Sequence, residues 1–211
     1  MKLSPPISST QTAADPGDAV KERIVAAARL HFLALGFRNI TMDDLARELG
    51  VSKKTLYAHF ESKAALLREV VSSKIAHIRA DMGRVIDDPT ASFPVKLQTL
   101  LACQQNHFAE LKPPFLRDVQ RDAPEIFDLV EERRAQIIPE FFGRLFEEGR
   151  RIGMIRKDIP SDLMIRVLLA GAQAILDPRK LADSDLPPNE LYSALLHMIM
   201  EGVLTERGRA K

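Results

Sequence analysis

The sequence predicts an all-α protein, with a three-helix unit near its N-terminus followed by a bundle of longer helices. Three observations predict it. Apolar residues recur at spacings of three and four along most of the chain, and no stretch sustains the period-two alternation of a half-buried strand. No Asn-Gly or Asp-Gly pair is present to close a hairpin. Proline marks many of the boundaries between the periodic segments.

Composition bounds the rest. The 211 residues are 45% apolar and 28% charged, enough for a sizeable core without metal or disulfide staples. Cys103 is the only cysteine, so an intrachain disulfide and a cysteine zinc site are both excluded, as suits a reducing cytoplasm. The first residues lack an apolar secretory segment, and no run approaches the roughly 20 apolar residues of a membrane span. A cytoplasmic protein with no membrane partner is expected. No P-loop, dinucleotide-type glycine turn, Ser-His-Asp spacing or metal-ligand cluster is evident, so neither an enzyme nor a cofactor or metal is expected.

The elements follow in order. Residues 1 to 18, rich in Ser, Thr and Pro, read as a disordered tail. A first helix is expected from an N-cap at Asp18 to Leu35, stopped by Gly36. "ITMDDLARELG" gives a short helix, with Thr41 and Asp44 spaced as a capping box and Gly50 at the end. Ser52 caps a second short helix, in which Leu56 and Phe60 point inward. Ser62 caps a longer helix reaching about Met82. Two short helices joined at Gly50-Val51-Ser52 and braced by longer ones make a helix-turn-helix, whose second short helix enters the DNA major groove.

Charge agrees with that reading. Between Ala19 and Ile75 ten lysines and arginines stand against six acids, although the whole chain nets only +1. No acid lies between Gly50 and Phe60, so the outward face of the second short helix is polar or basic throughout. Thr41 and Ser52 lie at helix starts, where free backbone donors suit phosphate. Lys53, Lys54, Thr55, Tyr57 and His59 form the candidate reading face, and Lys63 opens the next helix.

These residues carry a family resemblance. "GFRNITMDDLARELGVSKKTLYAHFESKAALL" resembles the DNA-binding domain of the tetracycline-repressor (TetR) family of bacterial regulators. The matching positions are Gly36-Phe37, Thr41, Leu45-Ala46, Gly50-Val51-Ser52, Leu56-Tyr57, His59-Phe60, Ser62-Lys63 and Leu66-Leu67, covering roughly residues 20 to 70. The resemblance implies backbone- and base-contacting roles for Tyr57 and His59 and a phosphate clamp at Lys63. Lys54 departs from the family, which often has a small residue or proline there, and adds a charge at the groove.

Behind the head, helices are expected over about 92–110, 115–122, 124–150, 161–176 and 189–205, with Asp122 and Ser161 as caps and a kink at Pro139. The resemblance makes this part a ligand-binding and dimerisation bundle, and "GMIRKDIPSDLMIRVLLAGA" is similar to the family's connection into its penultimate helix. The domains are then 1–18, 19–62 and 63–211. Candidate ligand residues are Gln104, His107, Phe108, Arg134, Phe142, Phe146 and Gln173. In the family the last two helices pair with those of a second subunit, which implicates Leu163, Val167, Ala170, Gly171, Ala174, Leu195, Ile199 and Val203. The expected function is a homodimeric repressor of a palindromic double-stranded operator, released by a small, mostly apolar molecule of unspecified identity. The alternatives are an activator, a ligand-independent regulator of the same fold, or a helical protein–protein adaptor.

Overall fold

A computed structural model describes residues 16–176 and 186–209. The tail expected over residues 1 to 18 lies outside them except for its last three residues, which are helical. Helix α1 (Pro16–Leu35) begins earlier than expected, so Asp18 stands in its first turn rather than at its cap. Proline suits a first turn, where its missing N–H costs nothing.

The helix-turn-helix forms as the local signals dictate. In α2 (Met42–Leu49) the Thr41 hydroxyl accepts from the Asp44 N–H at 3.1 Å, and Asp44 accepts from the Thr41 N–H at 3.0 Å. Gly50 ends this helix in the left-handed region at φ 65°, where a side chain would be strained. Its neighbour Val51 donates back to the Ala46 carbonyl at 3.0 Å. Ser52 caps α3 (Lys53–His59), accepting from the Thr55 N–H at 3.0 Å. Each such cap contributes about 1 kcal/mol. Ser62 caps α4 (Lys63–Asp87) through Ala65, and this helix continues past Met82 because Met82 and Ile86 are both buried.

The body comprises α5 (Phe93–Ala109), α6 (Pro113–Asp122), α7 (Pro124–Arg151), α8 (Ser161–Leu176) and α9 (Pro188–Val203), with a final turn α10 (Glu206–Arg209). Helix α7 continues across Pro139. Two expected caps act elsewhere. Ala123, not Asp122, precedes α7, because Pro124 opens that helix and Asp122 is the last residue of α6, where it pairs with Arg38 at 3.3 Å. Ser161 is the first residue of α8, and its hydroxyl donates to Glu147 at 2.6 Å. Among the described residues no strand forms, and the one extended pairing is a bridge between Ile155 and Leu204. No helix of the described residues is long and apolar enough to cross a membrane.

Apolar burial divides into two cores. The head core holds Ile24, Phe32, Leu45, Leu56 and Leu66, but it also takes Phe115 and Val119 from α6 and Ile126 from α7. The body core holds Leu100, Phe142, Phe146, Leu168 and Leu196. Helix α4 feeds both, through Leu66 to Val71 in the head and Met82 and Ile86 in the body.

Candidate DNA-binding face and internal cavity

The head presents α3 with Leu56 fully buried and Lys53, Lys54, Tyr57 and Ala58 exposed. Tyr57 is 49% exposed, unusual for a large aromatic side chain without a partner surface. Lys53 reaches Asp43 on α2 at 2.5 Å, so part of its charge is already met within the head. Among the described residues no ion pair engages Lys54. Thr41 and Ser52 are exposed but spend their hydroxyls on caps, the Ser52 hydroxyl also lying 2.8 Å from that of Thr55. Their value to a phosphate lies in the backbone N–H groups of the first turns that they hold outward. Thr55 and His59 are half-buried on the flank of α3.

Lys63 is arranged differently from its neighbours. Its ammonium donates to the Arg38 carbonyl at 3.2 Å and sits 5.5 Å from the Phe37 ring centre. Burial pushes its pKa down, partly opposed by Asp118 and Asp44. Lys63 therefore braces the α1–α2 loop in this conformation.

In the body, α4, α5, α6 and α7 enclose two abutting lobes of about 110 and 100 Å³, which share Ile75, Ile78, Leu111, Val130 and Arg134. Gln104, His107, Phe108 and Arg134 line the first lobe, as the sequence suggests. The other three candidates do not. Phe142 and Phe146 are fully buried and pack edge to face at 6.0 Å, filling the body core. Gln173 is exposed on α8, with no lining role.

Sequence reasoning missed Tyr192 and Lys74. Tyr192, 4% exposed, stacks on Phe108 at 4.7 Å and lines the first lobe, and burial pushes its hydroxyl up to about 12. Lys74 is buried on α4, with its ammonium 2.7 Å from Glu110 and 3.0 Å from His107 Nδ1. Burial lowers the Lys74 ammonium against the pull of Glu110. Burial alone would raise the Glu110 carboxyl, but Lys74 and Arg29 carry it below its ordinary value. The signal was present: Lys74 falls in line with Leu67, Val70, Val71 and Ile78 on an apolar stripe.

Beside this network, Asp81, Cys103 and His107 come within 4.8 Å of one another in an open groove between α4 and α5. Their atoms are already used. His107 Nε2 lies 2.8 Å from Asp81, Nδ1 faces Lys74, and Asp81 also binds Arg84. Burial raises the Cys103 thiol, which favours the protonated form. A metal here would have to break the His107–Asp81 bond.

The last two helices leave an apolar strip outward. Leu163, Val167 and Ala170 are exposed on α8 and Met198 on α9, Met198 at 66%. Gly171 and Ala174 are half-buried, and Leu195 packs on Gly171 so tightly that a Cβ there would lie 2.6 Å from it. Ile199 and Val203 face the chain's own core. The close approach suggested by the small residues thus occurs between α8 and α9 within the chain, and Met198 takes the outward position.

Residues 24–70 match the family model of bacterial regulatory proteins of the tetR family. The HTH-type transcriptional repressor DhaR of Mycobacterium sp. (strain GP1) is 24% identical over 192 residues, spanning 86% of this chain and 92% of the relative. A transcriptional regulator of Cytophaga hutchinsonii superposes with a TM-score of 0.70 at 18% identity, covering 89% of this chain and 100% of that one. A regulator of Saccharomonospora viridis in complex with choline gives 0.68 at 18% identity, covering 90% and 100%. The matched residues run from α1 at Ile24 through α2, its glycine turn and the α3 reading face to the start of α4. Residues 24–70 thus carry the helix-turn-helix domain of the tetR family of bacterial regulatory proteins, and along most of its length the chain is similar to transcriptional regulators.

Proposed function

We propose that the protein is a homodimeric repressor, released from a palindromic operator by a small, mostly apolar molecule bound in the α4–α7 cavity. One observation carries this reading. The helices that wall the cavity also hold Arg38, which lies in the loop before α2. Asp118 of α6 accepts from the Arg38 N–H at 3.0 Å, Lys63 of α4 donates to its carbonyl, and Asp122 pairs with its guanidinium. The second lobe reaches Leu33 of α1 as well as Phe115 and Val119 of α6. A molecule that spreads this lobe displaces the elements that orient α2 and α3.

Dimerisation has an independent reason. A single short recognition helix reads few bases, whereas a two-fold dimer reads half-sites about 34–36 Å apart. The exposed strip of Leu163, Val167, Ala170 and Met198 supports α8 and α9 as the joining face. A ligand shifts the dimer only by its differential affinity for the two head spacings, and a hundredfold release needs about 2.7 kcal/mol. That DhaR is a repressor, and that the Saccharomonospora viridis regulator holds choline, are in keeping with the proposal.

The test is fluorescence anisotropy of the purified protein on the DNA upstream of its own gene, against scrambled DNA, with salt titrated. Sequence-selective binding that weakens steeply with salt supports the operator reading. Equal binding to both DNAs sinks autoregulation, and genome-wide selection of sites then decides whether any operator exists.

A further inference from the structure

We propose that the cavity is built for a small organic acid, its carboxylate held by the Arg134 guanidinium and the Tyr192 hydroxyl and its apolar tail lying in the lobe under α6. The inference rests on the reading of this cavity as the effector site.

The first argument is charge. Lys74, Arg133 and Arg134 line the two lobes, and among the described residues no Asp or Glu does. The acids that offset them, Glu110 and Glu131, approach from outside the lining. A cationic ligand would meet cationic groups in the lining with no lining acid beside it, and an anion would meet its complement.

The second argument is unmet hydrogen-bonding capacity. The Tyr192 side chain is almost wholly buried, yet among the described residues its hydroxyl has no hydrogen-bond partner. That hydroxyl opens on the first lobe, where a bound group can take it up. Arg134 offers five N–H donors and accepts nothing. Its side chain is 12% exposed, and among the described residues the one side-chain bond it makes is to Glu131, through Nη1. A carboxylate is the group that takes two or more such donors at once. His107 cannot compete for it, because Lys74 and Asp81 occupy both ring nitrogens.

The third argument is the tail. Beyond Arg134 the second lobe is walled by Ile75, Ile78, Phe115, Val119, Ile126 and Phe127. At roughly 30 Å³ for a water-sized group, the two lobes hold about seven such groups. That corresponds to an acid with a short aliphatic chain or one aromatic ring.

Isothermal titration with hexanoate and benzoate, against hexanol, benzyl alcohol and hexylamine, tests this on the intact protein near neutral pH. The acids are expected to bind at least about tenfold more tightly than the alcohols, and the amine not at all. Tyr192→Phe keeps the ring on Phe108 and is expected to cut the preference for acid about tenfold. Arg134→Gln is expected to abolish it, and Ile78→Trp, which fills both lobes, to remove all binding. Alcohols binding as well as acids, with Ile78→Trp abolishing both, overturns the anion assignment and leaves the effector cavity standing. A preference for acid that neither Tyr192→Phe nor Arg134→Gln alters also overturns it. No binding of any probe, or binding that survives Ile78→Trp, overturns the cavity reading as well.

Discussion

Asp118, on α6, accepts a 3.0 Å hydrogen bond from the backbone N–H of Arg38, two residues after the glycine that ends α1. Burial and the charge of Asp122 raise the Asp118 carboxyl, opposed by Arg117 and Lys63, so the bond is made by a carboxylate under some stress. Together with Lys63 on the Arg38 carbonyl, it ties the entry to the helix-turn-helix to both α4 and α6. Asp118→Ala is expected to make the Arg38 amide exchange with solvent at least about tenfold faster by NMR, while the α3 amides stay protected. An unchanged Arg38 rate would mean that this bond does not restrain the loop.

Gly36 tests the same seam sterically. Its φ is +84°, and a Cβ there would lie 2.5 Å from Asp118 Oδ2. Gly36→Ala is expected to cost about 1–3 kcal/mol of stability in urea denaturation. In an Asp118→Ala background the clash with Asp118 is removed, but the backbone strain and the 3.3 Å approach to the Pro114 carbonyl carbon remain, so the cost should shrink without vanishing.

At the reading face the two lysines should separate. Lys54 has no ion-pair partner among the described residues, so Lys54→Ala is expected to weaken DNA binding and lower the salt slope by about one. Lys53 is partly met by Asp43, so Asp43→Asn should strengthen binding to specific and scrambled DNA alike. Anisotropy across a salt series separates the two effects. A weaker complex with Asp43→Asn would show that Asp43 orients Lys53 for DNA rather than masking it.

The Lys74–His107–Asp81 chain predicts a pH response. Burial first, then the Lys74 charge, hold the His107 imidazole below its ordinary value despite the pull of Asp81. The folded protein therefore favours the neutral ring. Below about pH 6.5 the unfolded chain takes up that proton first, so stability is lost as pH falls and is fully present above that value. Calorimetry should find that the wild type loses more melting temperature between about pH 7.5 and 5.5 than His107→Gln does. Parallel losses would mean that His107 titrates alike in both states.

Val167 and Met198, both exposed, are the substitutions that address the oligomer. Val167→Glu or Met198→Glu is expected to shift sedimentation from dimer to monomer at micromolar concentration, with helix content unchanged. A dimer that tolerates both changes would place the interface elsewhere.

The helices and the α3 face were legible because their signals are local: caps at Thr41, Ser52 and Ser62, the glycine at 50, and an apolar stripe opposite an acid-free one. Asp122 shows the limit, since a plausible cap for α7 is instead the last residue of α6, paired with Arg38 far away in sequence. The cavity was half legible. Gln104, His107, Phe108 and Arg134 line it, but a phenylalanine that walls a cavity and one that fills a core have the same spacing, so Phe142 and Phe146 were indistinguishable from Phe108. Lys74 depends on Glu110 and His107, which tertiary packing alone brings to it. On α9, apolar residues occupy more than one side, so the sequence does not say that Met198 faces out while Ile199 and Val203 face in.

Phe115, Val119 and Ile126 belong to the same core as Phe32 and Leu56, although they come after the whole of α5. The DNA-reading unit is therefore not a detachable cassette. A chimaera joined at Ser62 would strip away part of its packing and leave a facing apolar flank on the recipient. A chimaera joined beyond Ile126 would carry that packing along. Recombination among relatives that traded operator specificity alone would have to preserve the α1–α6 seam, or change both of its sides together.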